Sequence, residues 1–218
     1  MNNFFKPVIL GISGFYVSKK EYFLFRKHKP IGYVIFTRNI ANLTQLKNLV
    51  SELRSINPEQ KTLIMIDHEG GRVNRFHNLF DQSHYSAKIF GNYYQTNKKL
   101  FNKEIKKFIN FNCNLFKYLG INLVAAPVLD LFYERKSDVI GNRAYSNKVE
   151  VVKDIANKII NLYSKKKIFT IGKHVPGHGL SNQDSHFFLP VIKESIEYLF
   201  KNDFRCFENI KSNFLMTA

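Results

Sequence analysis

Short runs of branched apolar residues alternate with longer amphipathic segments along the whole chain, and this alternation narrows the fold more than any other feature. The runs are PVILGIS (7–13), IGYVIFT (31–37), KTLIMID (61–67), INLVAAPVLD (121–130), IFTIGKH (168–174) and NFLMTA (213–218), and each reads as a strand. Between them, Asn42 is placed to cap a helix with Leu43, Leu46, Leu49, Val50 and Leu53 on its apolar positions. A longer helix is predicted over about 97–119, ended by Gly120 at C′. Two more are predicted over about 147–167 and 195–210. Strands alternating with helices imply a parallel sheet, either doubly wound or closed as a barrel.

The polar residues favour the barrel. Asp67-His68-Glu69 closes the third run, Asp130 the fourth and Lys173-His174 the fifth. Chemistry collected at the C-terminal ends of successive strands is the barrel arrangement. A doubly wound sheet gathers its ligand at one switch point, and no GxGxxG or P-loop pattern follows any run. The fold class is therefore read as α/β, a TIM-type (β/α) barrel that is incomplete, with about six of eight βα units in one domain over 1–218.

Composition bounds the partners. The chain has 218 residues, with 44% hydrophobic and 15% aromatic content, which suits a globular core. No apolar run approaches the length of a membrane span, so no membrane partner is expected. The N-terminal apolar stretch is interrupted by Pro7, Gly11 and Gly14 and reads as a first strand, not a signal peptide. Cys113 and Cys206 lie far apart without a CxxC pattern, which fits buried thiols in a reducing compartment and a cytoplasmic location. The net charge of +16 raises the question of nucleic acid, but it is spread along the chain. Its clusters, such as Lys165-Lys166-Lys167, sit at an apparent helix end where they favour the dipole, so no nucleic-acid partner is expected.

Two segments carry the chemistry. DHEGGRVNRF (67–76) places a carboxylate pair, two glycines and two arginines after a buried strand. Asp67 could accept hydrogen bonds from sugar hydroxyls, and Arg72 and Arg75 could hold a carboxylate or an N-acyl oxygen. KHVPGHGLSNQDSHFFLP (173–190) is the denser segment. His174, His178, Asp184 and His186 are potential metal ligands, but the spacing fits no standard zinc pattern, and Pro176 and Gly177 rule out a regular helix across His174 and His178. No metal and no cofactor is expected. Asp184 and His186 are two residues apart, close enough for the carboxylate to orient the imidazole as an acid–base pair. Arg143 in GNRAYS (141–146) is the remaining group with binding capacity.

Taken together and in order, KHVPGHG…DSH…LP, DHEGGRVNRF, GNRAYS, IGYVIFTRNI and NLVAAPVLD resemble the motifs of glycoside hydrolase family 3, in particular the single-domain bacterial β-N-acetylglucosaminidases (β-hexosaminidases) of peptidoglycan recycling. The resemblance implies a retaining enzyme that removes a terminal N-acetylglucosamine from a muropeptide. It implies that Asp67, Arg75, Arg143, Lys173 and His174 hold the sugar and that His186, paired with Asp184, is the general acid/base. His68 stands where the family usually has Gln, and Val175 where it usually has Phe. The resemblance also implies a nucleophilic Asp in an F-S-D-D-like segment, and this sequence contains none. Asp203 is no substitute, because it lies in a helical pattern before the sixth strand. The expectation is a chain with binding groups and acid/base but without nucleophile or last two βα units, poorly stable and inactive alone. It would be a truncated gene product, a deliberate fragment, half of a split enzyme completed by a C-terminal fragment, or a non-catalytic sugar-binding remnant.

Overall fold

A computed structural model describes residues 5–134, 139–183 and 187–218. Six strands form one sheet: β1 (Lys6–Gly11), β2 (Pro30–Ile35), β3 (Leu63–Ile66), β4 (Leu123–Val124), β5 (Phe169–Val175) and β6 (Phe214–Thr217). Every neighbouring pair is parallel and the spatial order is the sequence order, β1 to β6, so β1 and β6 are the two edges. The sheet curls into part of a barrel. Helices α1 (Lys19–His28), α2 (Leu43–Ile56), α3 (Ala87–Thr96), α4 (Lys98–Leu119), α5 (Val149–Lys165) and α6 (Ile196–Lys201) make the connections.

The helix boundaries follow from local chemistry. The Asn42 side chain accepts from the Gln45 N–H at the start of α2, as predicted, and Gly120 ends α4 in the left-handed region at φ 78°. Serine caps open α1, α3 and α6 through Ser18, Ser86 and Ser195. The helix predicted over 195–210 is much shorter: α6 stops at Lys201, and Ile196 and Phe200 remain 52% and 60% exposed. The predicted 121–130 strand pairs regularly only at Leu123–Val124, because Pro127 has no N–H for the ladder. The run still stays beside β5, with the Leu129 N–H donating to the Lys173 carbonyl at 2.6 Å.

Strand alternation divides the core into two layers. Ile64 and Ile66 of β3 face outward into the main core against the helices, with Leu46, Leu49, Ile105, Phe116 and Tyr163. Met65, Leu123, Ala125 and Ile171 form a second, smaller cluster on the concave face. The same alternation carries past the end of β3. Asp67 and Glu69 continue the concave face, while His68 falls on the helix side against Phe76, Phe108 and Phe116. Helix α3 presses close to the segment that follows Arg143: a Cβ added to Gly91 would lie 1.6 Å from the Tyr145 carbonyl oxygen.

Both cysteines are buried free thiols, and burial pushes Cys113 up to about 11 and Cys206 up to about 12. Among the described residues, no helix is long and apolar enough to cross a membrane.

Candidate active site

The strand ends bring five of the sequence-predicted residues, Asp67, Arg75, Arg143, Lys173 and His174, into one charged cluster. Lys173, on β5 and only 1% exposed, reaches across the concave face to both carboxylates. Its Nζ lies 2.5 Å from Asp67 Oδ1 and 2.6 Å from Glu69 Oε1. Arg75 donates from Nη2 to Asp67 Oδ2 and from Nε to the Asp67 carbonyl at 2.8 Å. Arg143 makes a two-point bond to Glu69, Nε to Oε2 at 2.9 Å and Nη2 to Oε1 at 2.8 Å.

Charge pairing decides the ionisation. Burial works against ionising the Asp67 carboxyl, but Lys173 and Arg75 outweigh it and hold the group at about 2. That depression stabilises the fold above the unfolded pKa of about 3.9 and is lost as pH falls toward 2. Glu69 is likewise lowered, with burial opposing and Lys173 and Arg143 prevailing. Burial alone would lower Arg143, yet Glu69 raises it. Asp67 therefore stands as a fixed, partly exposed anion able to accept further hydrogen bonds.

His174 is held from both sides. Its Nδ1 lies 2.6 Å from Asp130 Oδ2, and Arg143 Nη2 approaches Nε2 at 3.2 Å. A guanidinium only donates, so Nε2 accepts and the ring proton on Nδ1 faces Asp130. With both nitrogens engaged, the His174 ring is held in one orientation between Asp130 and Arg143. Asp130 is fully buried and also accepts from the His178 N–H at 2.7 Å.

Glu69 and Asp130 join the cluster although neither stood among the expected site residues. The signal was available: Glu69 shares a face with Asp67, and Asp130 ends the fourth apolar run. Arg72 turns elsewhere, donating to the Val139 and Ile140 carbonyls at 2.7 and 3.1 Å. Asp184 and His186, the expected acid–base pair, lie outside the described residues.

One further carboxyl sits beside this region. Asp203 is 2% exposed and accepts from the Tyr133 hydroxyl at 2.8 Å, while its Oδ1 has no partner among the described residues. Burial raises its pKa. A carboxyl raised in the folded state penalises folding once ionised, so the penalty is absent below about pH 3.9 and grows as pH rises through the folded value. Asp203→Asn is accordingly expected to melt at a higher temperature than wild type at neutral pH, with the gain vanishing in acid. Parallel melts across pH check this, and equal midpoints at neutral pH would contradict it.

A parallel α/β sheet curled as a partial barrel, with its ionised groups gathered at the C-terminal strand ends, defines the class as (β/α)-barrel-type. Residues 17–218 match the glycosyl hydrolase family 3 N terminal domain, and the chain belongs to that family. A curated beta-hexosaminidase of Thioalkalivibrio sulfidiphilus is 34% identical over 186 residues, covering 85% of this chain and 52% of that protein. One from Psychromonas ingrahamii is 32% identical over 212 residues, covering 94% and 59%. Among solved structures, native NagZ from Neisseria gonorrhoeae superposes with a TM-score of 0.87 at 29% identity, over 98% of this chain and 62% of that one. The same protein in complex with N-trifluoroacetyl-D-glucosamine gives 0.86. The chain thus spans between half and two thirds of the length of these relatives.

Proposed function

We propose that this chain provides the sugar-binding and proton-transfer groups of a β-N-acetylhexosaminidase that removes terminal non-reducing N-acetylglucosamine from muropeptides. The observation that carries this reading is the Asp67 carboxylate, kept ionised by Lys173 and Arg75 at the mouth of the partial barrel. Family membership and the structural likeness to a protein solved with an N-acyl glucosamine support it. In this reading Asp67 accepts from hydroxyls, and Arg75, Arg143, Lys173 and His174 fix the ring. Asp184 orients His186, which protonates the leaving oxygen and then activates water.

A retaining mechanism also needs a carboxylate on the opposite face of the sugar. Asp67, Glu69 and Asp130 are each committed to cations or to His174. In this reading the nucleophile is none of these three carboxylates. The open edges β1 and β6 are where a further strand-bearing segment or a complementary fragment would join. Without that partner the expected behaviour is binding without turnover.

Calorimetry with N-acetylglucosamine tests the binding half. Wild type is expected to bind saturably and Asp67→Asn about 100-fold more weakly, since a charged acceptor and two ion pairs are lost. Equal affinity of the two proteins would rule Asp67 out as the sugar anchor. A chromogenic N-acetylglucosaminide tests the chemical half: turnover by this chain alone would remove the need for a partner.

A further inference from the structure

The His68 side chain turns away from Asp67 and Glu69, yet it bonds to the backbone of Arg75. It stands between Asp67 and Glu69 and points the opposite way, into the layer between the sheet and α4. It is 1% exposed, with its ring centroid 5.4 Å from that of Phe76, 6.1 Å from Phe116 and 6.4 Å from Phe108.

The hydrogen-bond directions assign its tautomer. The Arg75 backbone N–H can only donate, and it lies 3.3 Å from His68 Nδ1. Nδ1 is then an acceptor, and the proton on Nε2 is donated to Gln82 Oε1 at 2.7 Å. Gln82 in turn donates from Nε2 to Asn112 Oδ1 on α4, at 3.0 Å. The Gln82 carbonyl accepts from the N–H groups of Gly71 and Tyr85, both at 3.0 Å. One polar line thus joins α4, the loop after β3 and the backbone of Arg75.

The line works only with a neutral ring, because a second proton would turn Nδ1 into a donor facing a donor. Burial pushes His68 down to about 4. The Gln82 hydrogen bond, Glu69 and Asp67 act upward, and Arg75 adds to the lowering. A leucine could fill the same aromatic pocket but would supply neither acceptor nor donor.

We propose that His68 is a positioning residue of the sugar site: in the Nε2–H tautomer selected by Gln82 and Asn112, its Nδ1 holds the Arg75 segment so that the guanidinium stays on Asp67. The effect on sugar affinity rests on the proposed function; the tautomer and the placement of Arg75 do not.

Nitrogen NMR of the full chain with labelled histidine and arginine tests it. His68 is expected as the Nε2–H tautomer, without protonation down to about pH 5. The Nδ1–H tautomer, or protonation near about 6.5, overturns the proposal. His68→Leu is expected to shift the Arg75 Nε–H signal and to weaken N-acetylglucosamine binding about tenfold, the scale of one misplaced charged contact. His68→Gln, which restores polar groups, is expected to recover both toward wild type. A folded His68→Leu with native Arg75 signal and native affinity shows a space-filling residue and overturns the proposal. If His68→Leu does not fold, Gln82→Leu decides: the ring keeps its Nε2–H tautomer against the Arg75 N–H but loses its anchor, so the Arg75 Nε–H signal is expected to shift, and an unshifted signal overturns the relay. If wild type binds no sugar, the functional reading fails, while the tautomer and the Arg75 signal still decide whether His68 positions Arg75.

Discussion

Lys173→Met is expected to destabilise the fold by about 3–5 kcal/mol at neutral pH, the scale for leaving buried charges without their partner. Total stability of a domain this size is about 5–15 kcal/mol, so the loss is a large fraction of it and the variant should unfold at a much lower urea concentration. Methionine keeps much of the apolar stem but removes the only cation that lies within ion-pair distance of both Asp67 and Glu69 among the described residues. Arg75 and Arg143 would each retain one carboxylate, without the charge between them. The deficit carries a pH signature. With Lys173 gone, both carboxyls ionise less readily in the folded state, so mild acid relieves the variant while it begins to weaken the wild type. Urea unfolding at neutral pH and at about pH 4 measures both limbs. Equal midpoints at neutral pH would sink the role of Lys173 as shared counter-ion.

Gly91→Ala is expected to cost about 3 kcal/mol, although alanine is the better helix former by about 1 kcal/mol. Steric overlap outweighs propensity because the new Cβ would sit 1.6 Å from the Tyr145 carbonyl oxygen, a backbone atom that cannot rotate away. Either α3 or the 141–146 segment has to move. Arg143 lies two residues before Tyr145, so sugar affinity should fall together with stability. Gly14→Ala is the control, since a Cβ there meets nothing within 4 Å. Denaturation and calorimetry on the two variants separate the cases, and a Gly91→Ala protein as stable as Gly14→Ala would show that the contact is relaxed.

The order of strands was legible because each buried run is short, rich in branched residues and closed by a polar cluster. α2, α4 and α5 were legible through apolar periodicity and, for the first two, through Asn42 and Gly120. α1 was not, since KKEYFLFRKH sets four hydrophobic residues side by side and buries only Phe25. Its legible sign was the capping box of Ser18 and Glu21. The 195–210 helix was overestimated because periodicity cannot show that Asn202 and Asp203 break it. In the site, motif and strand-end position pointed to the single residues. The pairings Arg143–Glu69 and His174–Asp130 span 74 and 44 positions, and only the curl of the sheet brings them together. Why Asp67 is so acidic and which way the His174 ring is turned depend on those pairings, and no local pattern encodes them.

The cluster at the strand ends sets Asp67, Glu69 and Asp130 against Lys173, Arg75 and Arg143, so it is close to electroneutral within a chain of net charge +16. Ionic strength therefore separates two kinds of ligand. An uncharged sugar entering a neutral mouth exchanges hydrogen bonds and releases few counter-ions, so its dissociation constant should barely change between dilute buffer and physiological salt. A polyanion attracted by the surface lysines would lose affinity steeply over the same interval. The basic exterior and the proposed sugar site are in this sense electrically separate parts of one molecule.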